Sequence, residues 1–272
     1  MQALIDLFQE YQVMAAAAGL VLLLLLEQAH PFFDFFKGSI RDKGKHLVRN
    51  LLLGFINSLL ISVVFVGLWV MVSTWAEQNS FGILHWLDLE NPWRIILAIL
   101  LFDLWMYTWH WMNHVIPFFW RFHRVHHSDP NMDVTTASRF HIGEIFFSGL
   151  FRIGIIAITG IYVWELLLYE TIMFAVVQFH HANIVLPPKV DKFIRIFIIT
   201  PAMHKVHHSR WQPETDSNYG AFLTIWDRLG RTFRLREKLE DIRIGLDEFE
   251  GPEHESVKGL FRMPLWRDKK TK

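Results

Sequence analysis

The strongest constraint on this chain is a run of 25 residues without a formal charge, at positions 51–75. A bilayer core satisfies no backbone hydrogen bonds, so an apolar run of this length crosses it as a helix with some tilt. Residues 11–26 are also uncharged, and residues 95–119 are largely apolar but include Asp103 and two histidines. The first of these runs lacks a basic leader and a small-residue cleavage site, so we expect it to be retained. The three runs predict three membrane spans.

A fourth apolar region, residues 145–179, is interrupted by three charged residues and has Gly160 near its middle. Because each half is short for a full crossing, we expect a partly embedded helical hairpin that turns near Thr159 and Gly160. Residues 193–199 are predicted to form a short interfacial helix. Together these patterns predict an all-α integral-membrane helical bundle with about three full spans, an embedded hairpin and a helical cap.

Basic residues predict the orientation of the spans. The loop after the first span carries five basic residues between Lys37 and Arg49, whereas the loop after the second has Arg94 against three acidic residues. By the positive-inside rule the first loop and the cap face the cytoplasm, which means the cell inner membrane if the source is bacterial. The predicted units are N-terminal spans and loops at 1–94, a histidine-rich domain at 95–235 and a C-terminal cytoplasmic tail at 236–272. The last six residues are mostly charged, and we expect them to be mobile.

Composition removes several functional classes. Basic and acidic side chains balance at 27 each, so no general electrostatic attraction to nucleic acid is expected. The chain has no cysteine, which excludes disulfides, thiolate zinc sites, iron–sulfur clusters and thiolate-bound haem. Histidine occurs 15 times, and eleven of these residues lie between His110 and His208. Histidine chemistry is therefore the leading hypothesis for function.

Two histidine triplets repeat one another. Residues 123–128 read HRVHHS and residues 204–209 read HKVHHS, so one of six positions differs and its charge is kept. Positions i, i+3 and i+4 share one face of a helix, so each triplet presents three imidazoles together. His110 and His114 form a third cluster at i and i+4 near the end of the third predicted span. His181 adds one more imidazole at the end of the hairpin.

These clusters predict a site for two metal ions. The candidate ligands are His110, His114, His123, His126, His127, His181, His204, His207 and His208. A tetrahedral zinc site uses three or four such ligands, whereas two ions of higher coordination number use nine and keep room for oxygen or water. Imidazole binds Fe, Zn, Cu and Ni, so ligand type leaves the metal open. A single buried histidine is usually an ordinary polar residue, and the duplicated triplet is what favours metal binding.

Five further residues are candidates to orient these ligands: Asp103, Tyr107, His141, His180 and Asn183. Asp103 and Tyr107 share a stripe of the third span with two of the ligands. Asp103 therefore either fixes an imidazole tautomer, directly or through Tyr107, or bonds to a neighbouring helix. His141 either pairs with Glu144 or orients or binds at the metal site, and His180 precedes a ligand from which it should diverge on a helix. Whether His141 and His180 bind metal stays open. The remaining histidines, His30, His46, His85 and His254, are expected to be ordinary.

The motifs resemble the histidine boxes of the fatty acid hydroxylase/sterol desaturase superfamily. The matching segments are His110-x-x-x-His114, His123-x-x-His126-His127, Thr136 to Glu144, Gln178 to Asn183, His204-x-x-His207-His208, Asn218 to Gly220 and Trp226 to Arg228. They cover roughly residues 95–235, in order. The three boxes together are specific, whereas any one of them alone is a weak signal.

The resemblance implies a non-haem di-iron centre at the cytoplasmic face of a helical membrane domain, with the nine histidines as ligands. Members of the superfamily are oxidoreductases that use O2 and electrons to hydroxylate or desaturate sterols, fatty acyl chains, carotenoids or alkylglycerols. The chain shows no glycine-rich dinucleotide fingerprint, so we expect the electrons from a ferredoxin, a flavin reductase or a cytochrome b5-type protein. Two alternatives remain open: a membrane bis-histidine haem protein that transfers electrons, and a zinc-dependent membrane hydrolase.

Overall fold

The computed structural model of the chain describes residues 2–266. Within that range the secondary structure is helical and no strand forms, which confirms the predicted all-α fold. The residues 267–272, predicted to be mobile, lie outside the described part of the chain. The α-helices are α1 (Gln2–Ala29), α2 (Ile40–Leu60), α3 (Val66–Gln78), α4 (Ile83–Trp86), α5 (Trp93–Val115), α6 (Pro117–His127), α7 (Ile142–Thr159), α8 (Val163–His181), α9 (Pro188–Ile194), α10 (Pro201–His207), α11 (Gln212–Thr215), α12 (Ile225–Leu229), α13 (Pro252–Glu255) and α14 (Val257–Arg262).

Three helical segments of the described chain are long and apolar enough to cross a membrane: Ile40–Trp86, Trp93–Val115 and Ile142–Thr159. The first is a composite of α2, a π-helical turn at Ile61–Phe65, α3 and α4. The second is α5 and contains most of the third predicted span. These segments make the chain a membrane protein by length and composition.

One span differs from the prediction. Helix α7 was expected to cross only in part, yet its 18 residues rise about 27 Å at 1.5 Å per residue, close to the thickness of a hydrocarbon core. The predicted first span, residues 11–26, lies within the helix α1 and stays a prediction, since the apolar stretch that the structure describes there is Ala17–Ala29.

The hairpin of α7 and α8 turns at Gly160, as the sequence predicted. Gly160 adopts the left-handed conformation (φ 66°) that ends α7. Gly82 packs against this turn so closely that a Cβ atom on Gly82 would lie 2.5 Å from the Gly160 nitrogen. Arg94 fixes the same region, because its Nη1 donates to the Leu84 carbonyl and its Nη2 donates to the Gly160 carbonyl.

The spans share one apolar core and expose apolar side chains on their outer faces. Phe65, Phe102, Ile156 and Tyr169 are almost completely buried in this core. Large apolar side chains point outward from the same segments and stay exposed; they include Val63, Met71, Leu150 and Ile158. An apolar outer face over a packed interior is the arrangement that a lipid environment requires, because lipid tails impose no cost on exposed apolar surface.

The cap covers the end of the bundle at which α5 ends and α7 begins. Short helices α6 and α10 lie there, and α2 begins against them, since the buried His46 contacts Asp129 in the segment that follows α6. Residues from the C-terminal part join this cap, because Phe249, Leu260 and Met263 form a buried cluster with residues of α2 and α6.

The predicted interfacial helix at 193–199 is helical only at its start, because α9 spans Pro188–Ile194 and turns follow it. Phe193, Ile196 and Phe197 nevertheless keep their side chains exposed on one patch of the cap.

Candidate metal centre

Nine histidines converge in two adjoining groups, which are the nine predicted from the sequence. The first group contains His110, His114, His123, His127 and His207, and the second contains His126, His181, His204 and His208. Within each group the candidate ligand nitrogens all lie within 4.8 Å of one another. The groups abut, because the rings of His127 and His208 stack with their centroids 4.4 Å apart.

The repeated triplet corresponds to a repeated local structure. Helices α6 and α10 both begin with a proline, Pro117 and Pro201, at a position where the missing N–H costs no helical hydrogen bond. Both helices end at the triplet, with Ser128 and His208 as the C-cap residues. The two short helices therefore place equivalent imidazoles on either side of the centre, which explains the near identity of their sequences.

Backbone carbonyls fix the orientation of several imidazoles. The Nδ1 atoms of three histidines lie within hydrogen-bond distance of carbonyl oxygens: His110 to Tyr219 at 2.8 Å, His181 to Val177 at 2.7 Å and His207 to Ser217 at 2.7 Å. A carbonyl only accepts, so Nδ1 carries the proton and Nε2 keeps the lone pair that binds a metal.

Two carboxylates contact the imidazoles from outside. Glu144 Oε1 lies 2.9 Å from the Nδ1 atom of His123, and Asn113 donates to the same carboxylate oxygen at 3.4 Å. Asp216 Oδ1 lies 3.4 Å from the Nδ1 atom of His114. The hydrogen-bonded pair of Glu144 and His123 is of the kind that fixes the tautomer of a ligand and raises its basicity.

Several ring nitrogens of the histidines face one another across the centre, with no hydrogen-bond donor in the described part of the chain to satisfy their lone pairs. The Nε2 atom of His204 lies 2.9 Å from that of His181 and 3.2 Å from that of His208. Neither ring nitrogen of His127 has a hydrogen-bond partner within the described chain. A cation bound between the imidazoles satisfies these facing lone pairs. Protonation of several neighbouring imidazoles would instead place like charges side by side, which is unfavourable. The donor set therefore fits bound metal.

Burial favours the neutral, metal-binding form of these side chains. Removal from water lowers the pKa of His126, His127, His204 and His208 well below the ordinary value, and neighbouring imidazoles add to the effect. The pKa of His207 falls to about 3 for the same main reason, although a carbonyl contact opposes it. These five imidazoles therefore stay neutral at pH 7.

Four of the five predicted orienting residues do not contact the imidazoles in this structure. Asp103 accepts hydrogen bonds from Tyr169, Leu223 and Trp226, so it takes the neighbouring-helix alternative. Asn183 instead bonds to both the N–H and the carbonyl of Phe33, which ties two loops together.

His141 caps α7, because its Nδ1 accepts from the Gly143 N–H, and its Nε2 faces the Phe261 carbonyl. The Glu144 carboxylate that was its candidate partner pairs with His123 instead. Tyr107 does not bond to His110, since its hydroxyl bonds to Thr232 instead.

His180 lies beside the second group but outside its 4.8 Å limit. Its ring centroid is 3.9 Å from that of His204, and neither of its ring nitrogens has a hydrogen-bond partner in the described chain. The structure thus brings His180 to the centre and takes His141 away from it.

Two further polar residues support the site, and this role was not predicted for them from the sequence. Asp227 accepts from the N–H groups of Tyr219 and Gly220 at 2.7 and 2.9 Å, and so holds the segment whose carbonyl orients His110. His46, expected to be ordinary, is buried with its Nε2 atom 2.9 Å from Asp129 and its Nδ1 atom 3.2 Å from Asp133.

An apolar cavity of about 280 Å³ reaches the imidazoles from within the bundle. Its walls come from α5, α7 and α8, with apolar side chains such as Trp109, Ile145 and Phe174. At its inner end lie His110, His123, His126, His180, His181 and His204. A small apolar molecule in this cavity has part of its length beside the metal-binding nitrogens.

The known proteins to which the chain is similar are hydroxylases and monooxygenases. A family model described as fatty acid hydroxylase matches residues 95–232. The alkylglycerol monooxygenase of Danio rerio is 28% identical over 226 residues, which cover 76% of this chain and 47% of that protein. Ornithine lipid hydroxylase OlsE of Rhizobium tropici is 28% identical over 157 residues, 56% of this chain and 45% of the relative.

Cholesterol 25-hydroxylase of Homo sapiens is 23% identical over 143 residues, 52% of this chain and 51% of that protein. The chain spans between about a third and a half of the length of the curated relatives it matches. No solved structure is significantly similar to it.

Proposed function

Because the chain belongs to the fatty acid hydroxylase family, whose model matches half of it, we propose that it is a membrane-bound non-haem di-iron oxygenase. It hydroxylates or desaturates a lipid with O2 and with electrons from a separate redox protein. The names of its relatives support a lipid substrate, since they refer to alkylglycerols, ornithine lipids and cholesterol.

The observation that carries this proposal is the position of the two imidazole groups at the inner end of an apolar cavity. One iron ion would be held by the group of five histidines, and the second by the group of four. Bound there, the iron pair would supply the O2 activation that oxidation of an unactivated C–H bond requires. The sterol, acyl, carotenoid and alkylglycerol classes all offer such bonds.

The protein's own residues hold the ligands and exclude water. Glu144 keeps the His123 imidazole in one tautomer, and Asp227 positions the Tyr219 carbonyl that orients His110. The cavity walls beyond the imidazoles are largely apolar, so a lipid chain displaces water from the reacting end. A dry site protects a strong oxidant from side reactions with solvent.

The same geometry disfavours the two alternative functions. A bis-histidine haem needs room for a flat macrocycle between two imidazoles, whereas each group here packs four or five ligand nitrogens within 4.8 Å of one another. A catalytic zinc uses about three protein ligands, which leaves most of the nine without a role.

The fold also supports a cytoplasmic position for the centre. The basic first half of α2 packs on the cap, since His46 contacts Asp129 and Arg49 pairs with Glu255 at 3.1 Å. Basic segments that flank a span favour the cytoplasmic side, so the cap and the imidazoles lie on that side too. Soluble electron donors, whether a ferredoxin, a flavin reductase or a cytochrome b5-type protein, reach the centre there.

The test is a lipid comparison combined with metal analysis. Cells that express the chain are grown with and without air, and their lipid extracts are compared by mass spectrometry with those of cells that lack it. A new hydroxylated or desaturated lipid that needs both the protein and O2 is the expected result. No oxygen-dependent lipid change in cells whose protein carries iron would contradict the proposal.

Single substitutions assign the activity to the centre. His126→Ala and His207→Ala each remove a ligand, one from each group, and are expected to abolish product and lower iron content. His30→Ala is the matched control, because His30 is exposed and belongs to neither group. Full activity and iron in His126→Ala and His207→Ala would refute the assignment of these residues.

A further inference from the structure

The cavity contains an ion pair where an apolar wall is expected. Arg152 on α7 and Glu170 on α8 both line it, and the Nη1 atom of Arg152 lies 2.7 Å from the Oε1 atom of Glu170. Arg152 is only 6% exposed. Ionisable residues inside a membrane span are costly and mark functional positions by default.

The pair keeps unused hydrogen-bonding capacity toward the cavity. Within the part of the chain that the structure describes, Arg152 Nη2 donates only to the Met106 sulfur, at 3.3 Å, and the guanidinium lies 5.0 Å from the centre of the Trp69 ring. The Nε–H group of Arg152 has no hydrogen-bond partner within the described chain. Burying a donor without a partner is unfavourable, so a ligand that accepts from it gains binding free energy.

A buried ion pair between Arg94 of α5 and Glu165 of α8 shows what a purely structural pair looks like. Arg94 donates to both carboxylate oxygens of Glu165 and to the carbonyls of Leu84 and Gly160. Glu165 also accepts from the Tyr162 N–H, and neither charged residue lines the cavity. Since this pair already fastens the hairpin, a structural need does not account for the open donors of Arg152.

The rise of helices α7 and α8 gives the distance from the ion pair to the metal centre. Arg152 lies eight residues from Glu144 along α7, which is about 12 Å at 1.5 Å per residue. Glu170 lies eleven residues from His181 along α8, which is about 16 Å. An extended chain advances roughly 1.2 Å per covalent bond, so the separation corresponds to about 10–13 bonds.

We propose that Arg152 and Glu170 select substrates that carry a neutral hydrogen-bonding group about 10–13 bonds from the carbon that is oxidised. This inference rests on the proposed function. It names the feature of the lipid that determines which carbon lies at the metal centre. A hydroxyl, ester or amide oxygen accepts from Arg152, and a hydroxyl also donates to Glu170. An added carboxylate or phosphate competes with Glu170 for the one guanidinium, so the chemistry favours a neutral group.

The first test is competitive binding, which needs no electron donor. Isotope-labelled 1-hexadecanol and n-hexadecane, equal in chain length, are offered together to the purified protein in detergent. Wild-type protein is expected to prefer the alcohol roughly tenfold, the value of one hydrogen bond to a charged group. Arg152→Gln/Glu170→Gln removes both charges at nearly unchanged volume and is expected to bring the ratio to about one.

Two further variants separate this effect from damage to the fold. Arg152→Lys keeps the charge but removes the Nε–H donor, and is expected to give an intermediate ratio. Arg94→Gln/Glu165→Gln removes the structural pair and is expected to lower the unfolding temperature while the binding ratio of the folded fraction stays at the wild-type value. An equal preference in wild-type protein and Arg152→Gln/Glu170→Gln would overturn the inference.

The second test is the position of oxidation in 1-hexadecanol fed to expressing cells. Wild-type protein is expected to modify carbons about 10–13 bonds from the hydroxyl, and the double Gln variant is expected to spread product along the chain. Modification next to the hydroxyl would refute the proposed register. Alcohol-selective binding without any oxygen-dependent product would instead contradict the proposed function and leave the polar subsite standing.

Discussion

Replacing Asp103 by leucine tests how the spans support the metal centre. Asp103 is fully buried, and its carboxylate accepts three hydrogen bonds: from Tyr169 at 3.1 Å, from Leu223 at 3.0 Å and from Trp226 at 2.8 Å. Leucine leaves all three donors buried without a partner, at about 1–2 kcal/mol each. The expected destabilisation of Asp103→Leu is therefore about 3–6 kcal/mol.

Asparagine is the matched comparison. Its amide oxygen takes over the bonds from Leu223 and Trp226, and the Tyr169 hydroxyl turns to accept from the new NH2 group. We expect Asp103→Asn to cost less than about 1.5 kcal/mol, because two of the three donors keep their acceptor and the Tyr169 hydroxyl keeps a hydrogen-bond partner.

Thermal unfolding in detergent, followed by tryptophan fluorescence, measures both variants. At about 2 °C per kcal/mol for a chain of this size, Asp103→Leu lowers the midpoint by about 6–12 °C and Asp103→Asn by no more than about 3 °C. The leucine variant should also lose iron, since Asp103 anchors the loop that leads to Asp227 and Tyr219. Equal midpoints for the two variants would refute this account of Asp103.

Three other changes have defined outcomes. Glu144→Gln weakens the contact that fixes the His123 tautomer, so iron affinity measured by competition with a chelator should fall 10- to 100-fold; unchanged affinity would show that Glu144 does not orient the ligand. Gly149→Ala places a Cβ atom 2.7 Å from the Phe65 ring and should destabilise by about 1–3 kcal/mol. Gly154→Ala on the same helix meets no atom within 4 Å and should be neutral or stabilising; similar unfolding midpoints would contradict the packing. Metal-free protein should lose stability as the pH falls from 7 to 5. Burial lowers the pKa of His207 to about 3, so the native state binds fewer protons than the unfolded state in this pH range. The free energy of unfolding then falls by about 2 kcal/mol for such an imidazole. A midpoint that rises on acidification would contradict this sign.

The local part of the site was predictable because helical geometry is local. Histidines at i, i+3 and i+4 share a helix face wherever the helix lies, so the grouping in α6 and α10 follows from spacing alone. The turn at Gly160 was predictable for the same reason, since a glycine between two apolar runs is the usual end of a helix.

The partners of the buried polar residues were not predictable, because they lie far away in the chain. Asp103 bonds to residues 66, 120 and 123 positions further on, which no pattern around it indicates. His46 was taken as ordinary, yet its contact with Asp129 joins residues 83 positions apart. Glu144 was visible only as a neighbour of His141, and the fold gives it to His123 instead. Tertiary packing decides such pairs.

The number of iron ions that each chain holds tests the central claim most directly. Metal-free protein in detergent is titrated with ferrous iron in the absence of O2, and tightly bound iron is counted per chain. We expect about two ions, and about one in variants that lose two ligands from a single group, such as His204→Ala/His208→Ala. Binding of one ion or none by the folded wild-type protein would contradict the di-iron centre.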